Sequence, residues 1–289
     1  MRVILDTIGN TPLIEVDGIF AKLETFNPTG SVKDRIAWYI IRNAEKRGEL
    51  KPGQKILEIT SGNTGIALSM VAAIRDYKFI AVMPESMSLE RRKMMGAFGA
   101  EIVLTPSLED MDGALRKYDE LVKENPDAFL PKQFENPDNI KAHEFGLGKE
   151  IVDEVKVDAF VVGTGTGGTL VGVARALRRR NPNVKIIAVE PAESAVISGE
   201  KQGLHKIQGI GEGFIPKIVS DNLHLIDEVI KIKSDDAIIA GKKLARKHGV
   251  LVGISSGANF LAAKFIKEKY GLKNVVTIFA DRGERYLSM

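Results

Sequence analysis

Short runs of apolar, β-branched residues recur along the chain and predict buried strands. They lie at residues 55–59, 78–83, 101–104, 158–162, 185–189, 250–252 and 275–280. Nearly continuous apolar character is typical of strands that are covered on both faces, as in a parallel sheet. Helical spacing dominates the segments between these runs. This alternation predicts an α/β protein with right-handed crossover connections.

The intervening segments repeat apolar residues at helical intervals. One predicted helix has a buried face of Met111, Leu115, Tyr118 and Val122. A second has a buried face of Ala237, Ile238, Gly241, Leu244, Ala245 and His248. A third follows a turn that Ser31 could cap, and its inward-facing residues are Ile36, Ala37, Ile40 and Ile41. A segment rich in Pro, Asn and Asp, at 125–139, lacks this periodicity. It predicts the return of the chain from one domain to another.

Composition excludes several classes of protein. Lys and Arg number 41 against 38 Asp and Glu, a net charge of +3, which is too balanced for a dedicated nucleic-acid binder. The absence of cysteine excludes thiol nucleophiles, thiolate zinc sites and disulfides. His143-Glu144 lacks a second histidine four residues on, so no metal site is predicted. The first ten residues do not resemble a leader peptide, and the longest apolar run, 66–74, is too short to span a membrane. We therefore expect a cytoplasmic protein that does not associate with a membrane.

The most prominent motif is a glycine-rich turn at 163–169, between a predicted strand and a predicted helix. Such a turn exposes backbone N–H groups at a helix N-terminus, where the dipole favours a phosphate group. Gly163, Gly165 and Gly168 also match the dinucleotide pattern G-x-G-x-x-G, and Glu190 ends the next strand where a ribose ligand would lie. An NAD-binding oxidoreductase is therefore an alternative, as is a turn without any ligand.

A second turn, Thr60-Ser61-Gly62-Asn63-Thr64-Gly65, follows the strand at 55–59 and opens an apolar helix. Hydroxyl groups, an amide and free N–H groups at a helix start suit a small carboxylate, although an elaborate helix cap would need the same residues. A turn at 253–258 opens another helix, and capping alone explains it.

A third turn, at 27–35, leads into a helix and carries Lys33 in its first turn. The positive end of the helix dipole disfavours a charged ammonium there, and a lysine of this kind can act as a Schiff-base nucleophile. An ordinary solvated lysine beside an Asp34–Arg35 pair is the alternative that these residues alone favour.

Taken together, the motifs resemble those of the cysteine synthases (O-acetylserine sulfhydrylases), which are fold-type II pyridoxal-phosphate enzymes. The resemblance covers nearly the whole chain, in family order: 27–35 (NPTGSVKDR), 60–65 (TSGNTG), 83–92 (MPESMSLERR), 163–169 (GTGTGGT), 207–216 (IQGIGEGFIP), 253–258 (GISSGA) and 283–288 (GERYLS). It implies two three-layer αβα domains with largely parallel sheets, as in the tryptophan synthase β chain. The large cofactor domain would comprise residues 1–36 and 138–289, and residues 37–137 would form a smaller, mobile domain for the substrate carboxylate.

The resemblance also implies roles for individual residues. Lys33 would bind pyridoxal 5'-phosphate covalently, and Ser255 would face its pyridine nitrogen. The remaining cofactor contacts would come from Asn63, at the 3'-oxygen, and from Gly165, Thr166, Gly167, Gly168 and Thr169, at the phosphate. The substrate's α-carboxylate would be held by Thr60, Ser61, Gly62, Thr64 and Gln133.

The implied activity is replacement of the acetoxy group of O-acetyl-L-serine by sulfide, which yields L-cysteine and acetate. A homodimer is expected from the family, with 207–216 near the active-site entrance, and the C-terminal tail of serine acetyltransferase is a candidate partner. O-phosphoserine sulfhydrylase and cystathionine β-synthase are the alternative activities. Gly213 before Phe214 is the sulfhydrylase form.

Two segments depart from the family pattern. Ala280-Asp281-Arg282-Gly283 replaces the usual Pro-Asp-Ser/Thr-Gly, and residues 144–149 (EFGLGK) replace a threonine- and proline-containing stretch. Arg282 could attract a phosphorylated substrate or could simply be solvated.

Overall fold

The computed structural model describes residues 3–60, 62–86 and 88–287. The strands, in chain order, are β1 (Leu13–Val16), β2 (Ile19–Leu23), β3 (Lys55–Ile59), β4 (Lys78–Pro84), β5 (Glu101–Thr105), β6 (Ala159–Gly163), β7 (Lys185–Pro191), β8 (Glu228–Ile232) and β9 (Val275–Phe279). The helices are α1 (Lys33–Arg47), α2 (Asn63–Arg75), α3 (Leu89–Ala97), α4 (Asp110–Glu124), α5 (Pro137–Ala142), α6 (Gly148–Glu154), α7 (Gly168–Arg180), α8 (Lys217–Ser220), α9 (Ser234–His248) and α10 (Ile254–Tyr270). A π-helical turn, His143–Leu147, joins α5 to α6.

The chain divides into two compact units. The first unit runs to Val32 and resumes at Gln133, whereas the second comprises Lys33–Lys132. The sequence prediction put the corresponding domain boundaries after residues 36 and 137. Each unit has its own sheet.

The first unit is built on a six-stranded sheet in the order β1-β2-β9-β6-β7-β8. Only β1 and β2 pair antiparallel; the other neighbours are parallel. Alternate residues of β6 enter separate hydrophobic clusters: Ala159 and Val161 pack with residues of α9 and α10, whereas Phe160 and Val162 pack with residues of α6 and α7. This alternation, which follows from the strand period of two, gives helices on both faces and a three-layer αβα unit.

The second unit has a three-stranded parallel sheet in the order β3-β4-β5. Phe129 lies beside β3, where its N–H donates to the Lys55 carbonyl and its carbonyl accepts from the Leu57 N–H. Helix α2 is buried over most of its length, which explains why its sequence is apolar on nearly every side. The α/β architecture predicted from the sequence is therefore confirmed.

Two local predictions were wrong. Residues 250–252 form no strand but a connection between α9 and α10, with an isolated bridge from Val252 to Arg282. Helix α4 forms as predicted, but its packed face carries Ala114, Tyr118, Leu121 and Val122, while Met111 and Leu115 are exposed. The first error arose because three apolar residues do not distinguish a strand from a connection, and the second because a short apolar pattern does not show which side of a helix meets the sheet. None of the helices in the described ranges is long and apolar enough to cross a membrane.

Candidate active site

Three loops of the first unit meet at one edge of its sheet. Strands β6 and β9 are parallel neighbours, so the loops that follow Gly163 and Phe279 leave the sheet on the same side. In open α/β sheets, ligands bind outside the carboxyl ends of the strands. Asn259 of α10 connects the two strand ends, since its side chain accepts from the Gly163 N–H at 2.7 Å and donates to the Ile278 carbonyl at 3.0 Å.

The glycine loop, residues 164–168, lies at this edge of the sheet and presents main-chain atoms there, because three of its five residues are glycines. A Cβ atom on Gly165 would lie 2.5 Å from the Gly209 carbonyl oxygen, and one on Gly168 would lie 1.9 Å from Asn139 Oδ1. Neither position can carry a side chain without displacing its neighbour. Across the described part of the chain, no protein acceptor is bonded to the N–H groups of Gly165, Thr166 and Gly167. Free N–H groups at the start of α7 form a cradle that fits a phosphate group.

Hydroxyl groups supplement these amides. Thr166 Oγ1 accepts from Asn139 Nδ2 at 3.0 Å, and Thr169 Oγ1 lies 3.2 Å from His143 Nε2. The Thr164 hydroxyl is buried and has no hydrogen-bond partner among the described residues. An unsatisfied buried hydroxyl beside free amides is what a site for a multiply hydrogen-bonded group such as phosphate requires.

Lys33 follows directly on a loop that is anchored at the same edge. The Val32 N–H donates to the Ala280 carbonyl at 2.9 Å, and Ser31 bridges Asp281, just beyond the end of β9. Helix α1 begins at Lys33, so the lysine lies in its first turn, as predicted. The side chain of Lys33 is half-buried, which excludes the fully solvated lysine considered from the sequence.

Ser255 lies in the first turn of α10, which also begins at this edge. The Gly253 N–H donates to the Asp281 carbonyl at 3.1 Å, and Ser256 Oγ accepts from the Ala280 N–H at 3.0 Å. Ser255 itself is buried. The first unit therefore brings Ser255, the glycine loop and the residues up to Val32 to one edge of one sheet.

The second unit contains the turn at 60–65. Helix α2 begins at Asn63, and the preceding cap residue is Gly62, which has no side chain of its own to cap the helix. The Gly65 N–H donates to Thr60 Oγ1 at 3.1 Å. Thr64 is buried, whereas Gly62 and Asn63 are half-buried. Thr60 thus caps the third N–H of the helix, as the capping alternative requires, and the dipole at the N-terminus of α2 also favours a carboxylate.

Ser61 and Gln133 are the other two predicted carboxylate ligands. Ser61 lies outside the described residues. Gln133 belongs to the first unit, where it is buried and its backbone carbonyl accepts from Asn139 Nδ2 at 2.8 Å.

Sequence reasoning did not identify Asn139 and Asn259, the two amides that position the glycine loop. Both are buried within the first unit, so neither a motif nor a charge pattern marks them. The available signal is an asparagine inside a predicted helix, because its amide needs hydrogen-bond partners if it is buried.

Glu190 does not have the environment of a ribose ligand. Its carboxylate is buried and accepts from the Ile197 N–H at 2.9 Å, the Ser198 N–H at 3.1 Å and the Ser198 hydroxyl at 2.5 Å. These bonds occupy both oxygens and hold the loop after β7. The glycine fingerprint therefore lacks the acidic residue that would bind the ribose of NAD, and this removes the main support for an NAD site.

One charged group near this loop has a perturbed pKa. Burial opposes ionisation of Glu193, but hydrogen bonds from Ser234 and the nearby His205 outweigh it, so the pKa of Glu193 lies below its ordinary value. The Ser234 N–H donates to Glu193 Oε1 at 2.8 Å and so connects the segment after β7 to the start of α9.

Comparison with known proteins agrees with this geometry. Residues 4–281 match the family of pyridoxal-phosphate dependent enzymes. The chain is 46% identical to the cysteine synthase of Staphylococcus aureus, over 99% of this chain and 95% of that protein. Its structure is similar to O-acetyl serine sulfhydrylase isoform 3 from Entamoeba histolytica, with a TM-score of 0.96, 44% identity and coverage of 100% and 90% of the two chains.

A third similar structure is the O-acetylserine dependent cystathionine beta-synthase from Helicobacter pylori. Its TM-score is 0.94 at 41% identity, and the match covers 100% of this chain and 98% of that one. The resemblance drawn from the motifs is thus confirmed over the full length of the chain. The chain belongs to the family of pyridoxal-phosphate dependent enzymes and, within it, to the cysteine synthases.

Proposed function

We propose that this protein makes L-cysteine by β-replacement, with pyridoxal 5'-phosphate as its cofactor. The acetoxy group of O-acetyl-L-serine would leave Cβ as acetate, and sulfide would form the new C–S bond at the same carbon. The observation that carries the proposal is the glycine loop. Its free amides and buried threonine hydroxyl fit a phosphate group, at the sheet edge where α10 begins and where the loop that ends at Val32, directly before Lys33, is anchored.

Bound pyridoxal phosphate supplies an electron sink that weakens bonds at the α- and β-carbons of an amino acid. We assign the phosphate to residues 165–169 and the pyridine nitrogen to Ser255. A serine hydroxyl is too weak an acid to keep that nitrogen protonated, so it moderates the sink and favours elimination at Cβ over transamination. Lys33 would be the residue that attaches the cofactor covalently, and its amine would also serve as the base that takes the proton from Cα.

The second unit is assigned to recognition of the substrate. The turn at 60–65 offers the N-terminus of α2, whose dipole favours a carboxylate. Thr60, Ser61, Gly62 and Thr64 would bind it together with Gln133. Asn63 is assigned to the 3'-oxygen of the cofactor.

The proposal extends to assembly. Membership in the family supports a homodimer, and the C-terminal tail of a serine acetyltransferase is the candidate partner. Sedimentation of the purified protein tests the dimer. Binding of a peptide with the sequence of that tail, measured by competition with O-acetylserine, tests the partner.

The decisive experiment is the visible absorption spectrum of the protein supplied with pyridoxal phosphate. We expect a coloured protein whose absorption shifts with O-acetylserine and returns when sulfide is added. Lys33→Ala should lose both the colour and the turnover, because the amine that attaches the cofactor is removed. Lys46→Ala, an exposed position on the same helix, is the matched control and should keep both.

Three results would contradict the proposal. A colourless protein that does not respond to added pyridoxal phosphate would exclude the cofactor assignment. Normal turnover in Lys33→Ala would exclude the role of that lysine. A coloured protein that ignores O-acetylserine but reacts with O-phosphoserine, or one that requires homocysteine in place of sulfide, would keep the family and change the reaction.

A further inference from the structure

The loop that leads into Lys33 is held from one side by the segment that follows β9. Two main-chain bonds come from this segment: the Ala280 carbonyl accepts from Val32, and the Arg282 N–H donates to the Gly30 carbonyl at 3.1 Å. In addition, the Arg285 guanidinium donates to the Thr29 carbonyl. Thr29 and Gly30 are buried, so this segment forms their packing environment.

The side chain of Arg282 makes a fourth contact with this loop. Its Nε donates to the Thr25 carbonyl at 2.9 Å. Its stem covers Gly30, since a Cβ atom placed on that glycine would lie 2.7 Å from Arg282 Cδ and 2.8 Å from Nε. The Gly30 backbone has φ +83°, a conformation that glycine adopts readily and other residues rarely do.

Arg282 stands where the family pattern has serine or threonine, and a short hydroxyl side chain lacks the length to make both of these contacts. An arginine can do so, because its apolar stem packs along a surface while its planar guanidinium donates at the end. Arg282 is exposed, but its Nε is held by the Thr25 carbonyl, so one end of the guanidinium is fixed while the rest meets solvent.

We propose that Arg282 is a positioning residue for Lys33. It clamps residues 25–30, and the chain passes from this loop through Val32 directly into the lysine. The inference rests on the proposed function, because it assigns Arg282 a part in setting where the catalytic amine lies. It also gives Arg282 a structural use in place of recognition of a phosphorylated substrate.

Amide hydrogen exchange of the holoenzyme tests the clamp independently of activity. The Gly30 N–H donates to the Asn27 carbonyl at 2.7 Å, so exchange at Gly30 and Val32 reports opening of the loop. In Arg282→Ser we expect exchange over 27–32 to accelerate about tenfold, since a charge-assisted hydrogen bond and its packing are lost. Arg282→Lys keeps the stem and one donor and should recover most of the protection.

Kinetics separate positioning from general stability. In Arg282→Ser we expect kcat to fall about tenfold while KM for O-acetylserine changes less than about twofold, because misplacement of a reacting group slows chemistry more than binding. Arg246→Ser, which removes an exposed arginine from α9, is the control and should change neither exchange over 27–32 nor kcat.

Unchanged exchange over 27–32 in Arg282→Ser would overturn the inference. So would a variant that loses only affinity for O-phosphoserine, which would make Arg282 an anion-binding residue. If the wild-type protein makes no cysteine, the proposed function fails instead. The exchange measurement would still decide whether Arg282 holds the loop.

Discussion

Replacement of Gly168 by alanine tests the close packing on which the glycine loop depends. The new Cβ would lie 1.9 Å from Asn139 Oδ1 and 2.4 Å from its Cγ, so the amide must move. Asn139 is fully buried and donates to the Gln133 carbonyl at 2.8 Å and to Thr166 Oγ1 at 3.0 Å. Displacement of the amide therefore breaks bonds that water cannot replace.

The expected cost follows from these contacts. Each of the two buried hydrogen bonds is worth about 1–3 kcal/mol when its partner is left unsatisfied. Alanine is a better helix former than glycine by up to about 1 kcal/mol, which offsets part of this loss. The net destabilisation of Gly168→Ala should be about 3 kcal/mol, with weaker binding of pyridoxal phosphate because the displaced Asn139 no longer orients Thr166.

Urea unfolding followed by far-UV circular dichroism measures the stability, and an absorption titration measures the cofactor affinity. Gly96→Ala is the matched control: that glycine lies in α3 with open space around it, so the substitution should be neutral or stabilise by up to about 1 kcal/mol. Because Gly168→Ala and Asn139→Ala remove the same bonds, their effects should be strongly non-additive. Additive effects, or a Gly168→Ala variant as stable as the wild type, would refute the reasoning.

Two further predictions concern carboxylates that follow β7. Glu190→Gln places an amide donor against backbone donors and should lower the free energy of unfolding in urea by about 1–3 kcal/mol. Titration of the wild type with NADH should show no binding. Specific NADH binding that the substitution abolishes would restore the NAD hypothesis. The pKa of Glu193 is lowered in the folded protein, so its contribution to stability is present above the ordinary value of 4.5 and is lost as the pH falls through the folded pKa. Unfolding of Glu193→Gln measured across this pH range should therefore show a shallower loss of stability than the wild type, and parallel curves would contradict the assignment.

The sequence predicted several strands and helices correctly, because a buried face requires apolar residues at the period of the strand or helix. The apolar runs at 55–59, 78–83 and 158–162 all became strands, and the glycine turn lies between β6 and α7 as expected. The pattern at 250–252 failed, because three apolar residues are as compatible with a connection, here with Leu251 exposed, as with a strand.

Lys33 shows where local sequence stops being informative and tertiary structure takes over. Local residues alone favoured a solvated side chain at Lys33, and only the order of seven motifs along the chain pointed to a cofactor. The structure supplies the physical reason for the local ambiguity. The surroundings of the Lys33 loop come from residues 280–285, about 250 positions away in the chain.

What the sequence determined by itself was the α/β class, six of the strands in the described residues and the glycine-rich turns, since each depends on neighbours within a few residues; it did not predict β1, β2 or β8. Only the tertiary structure decided how Glu190 is used, which amides hold the glycine loop and what Arg282 contacts. These outcomes depend on hydrogen bonds between distant segments: Glu190 binds the loop beyond β7, Asn139 reaches Thr166, and Arg282 reaches Thr25. A buried polar group takes whichever partner the fold brings to it, and no local pattern encodes that choice.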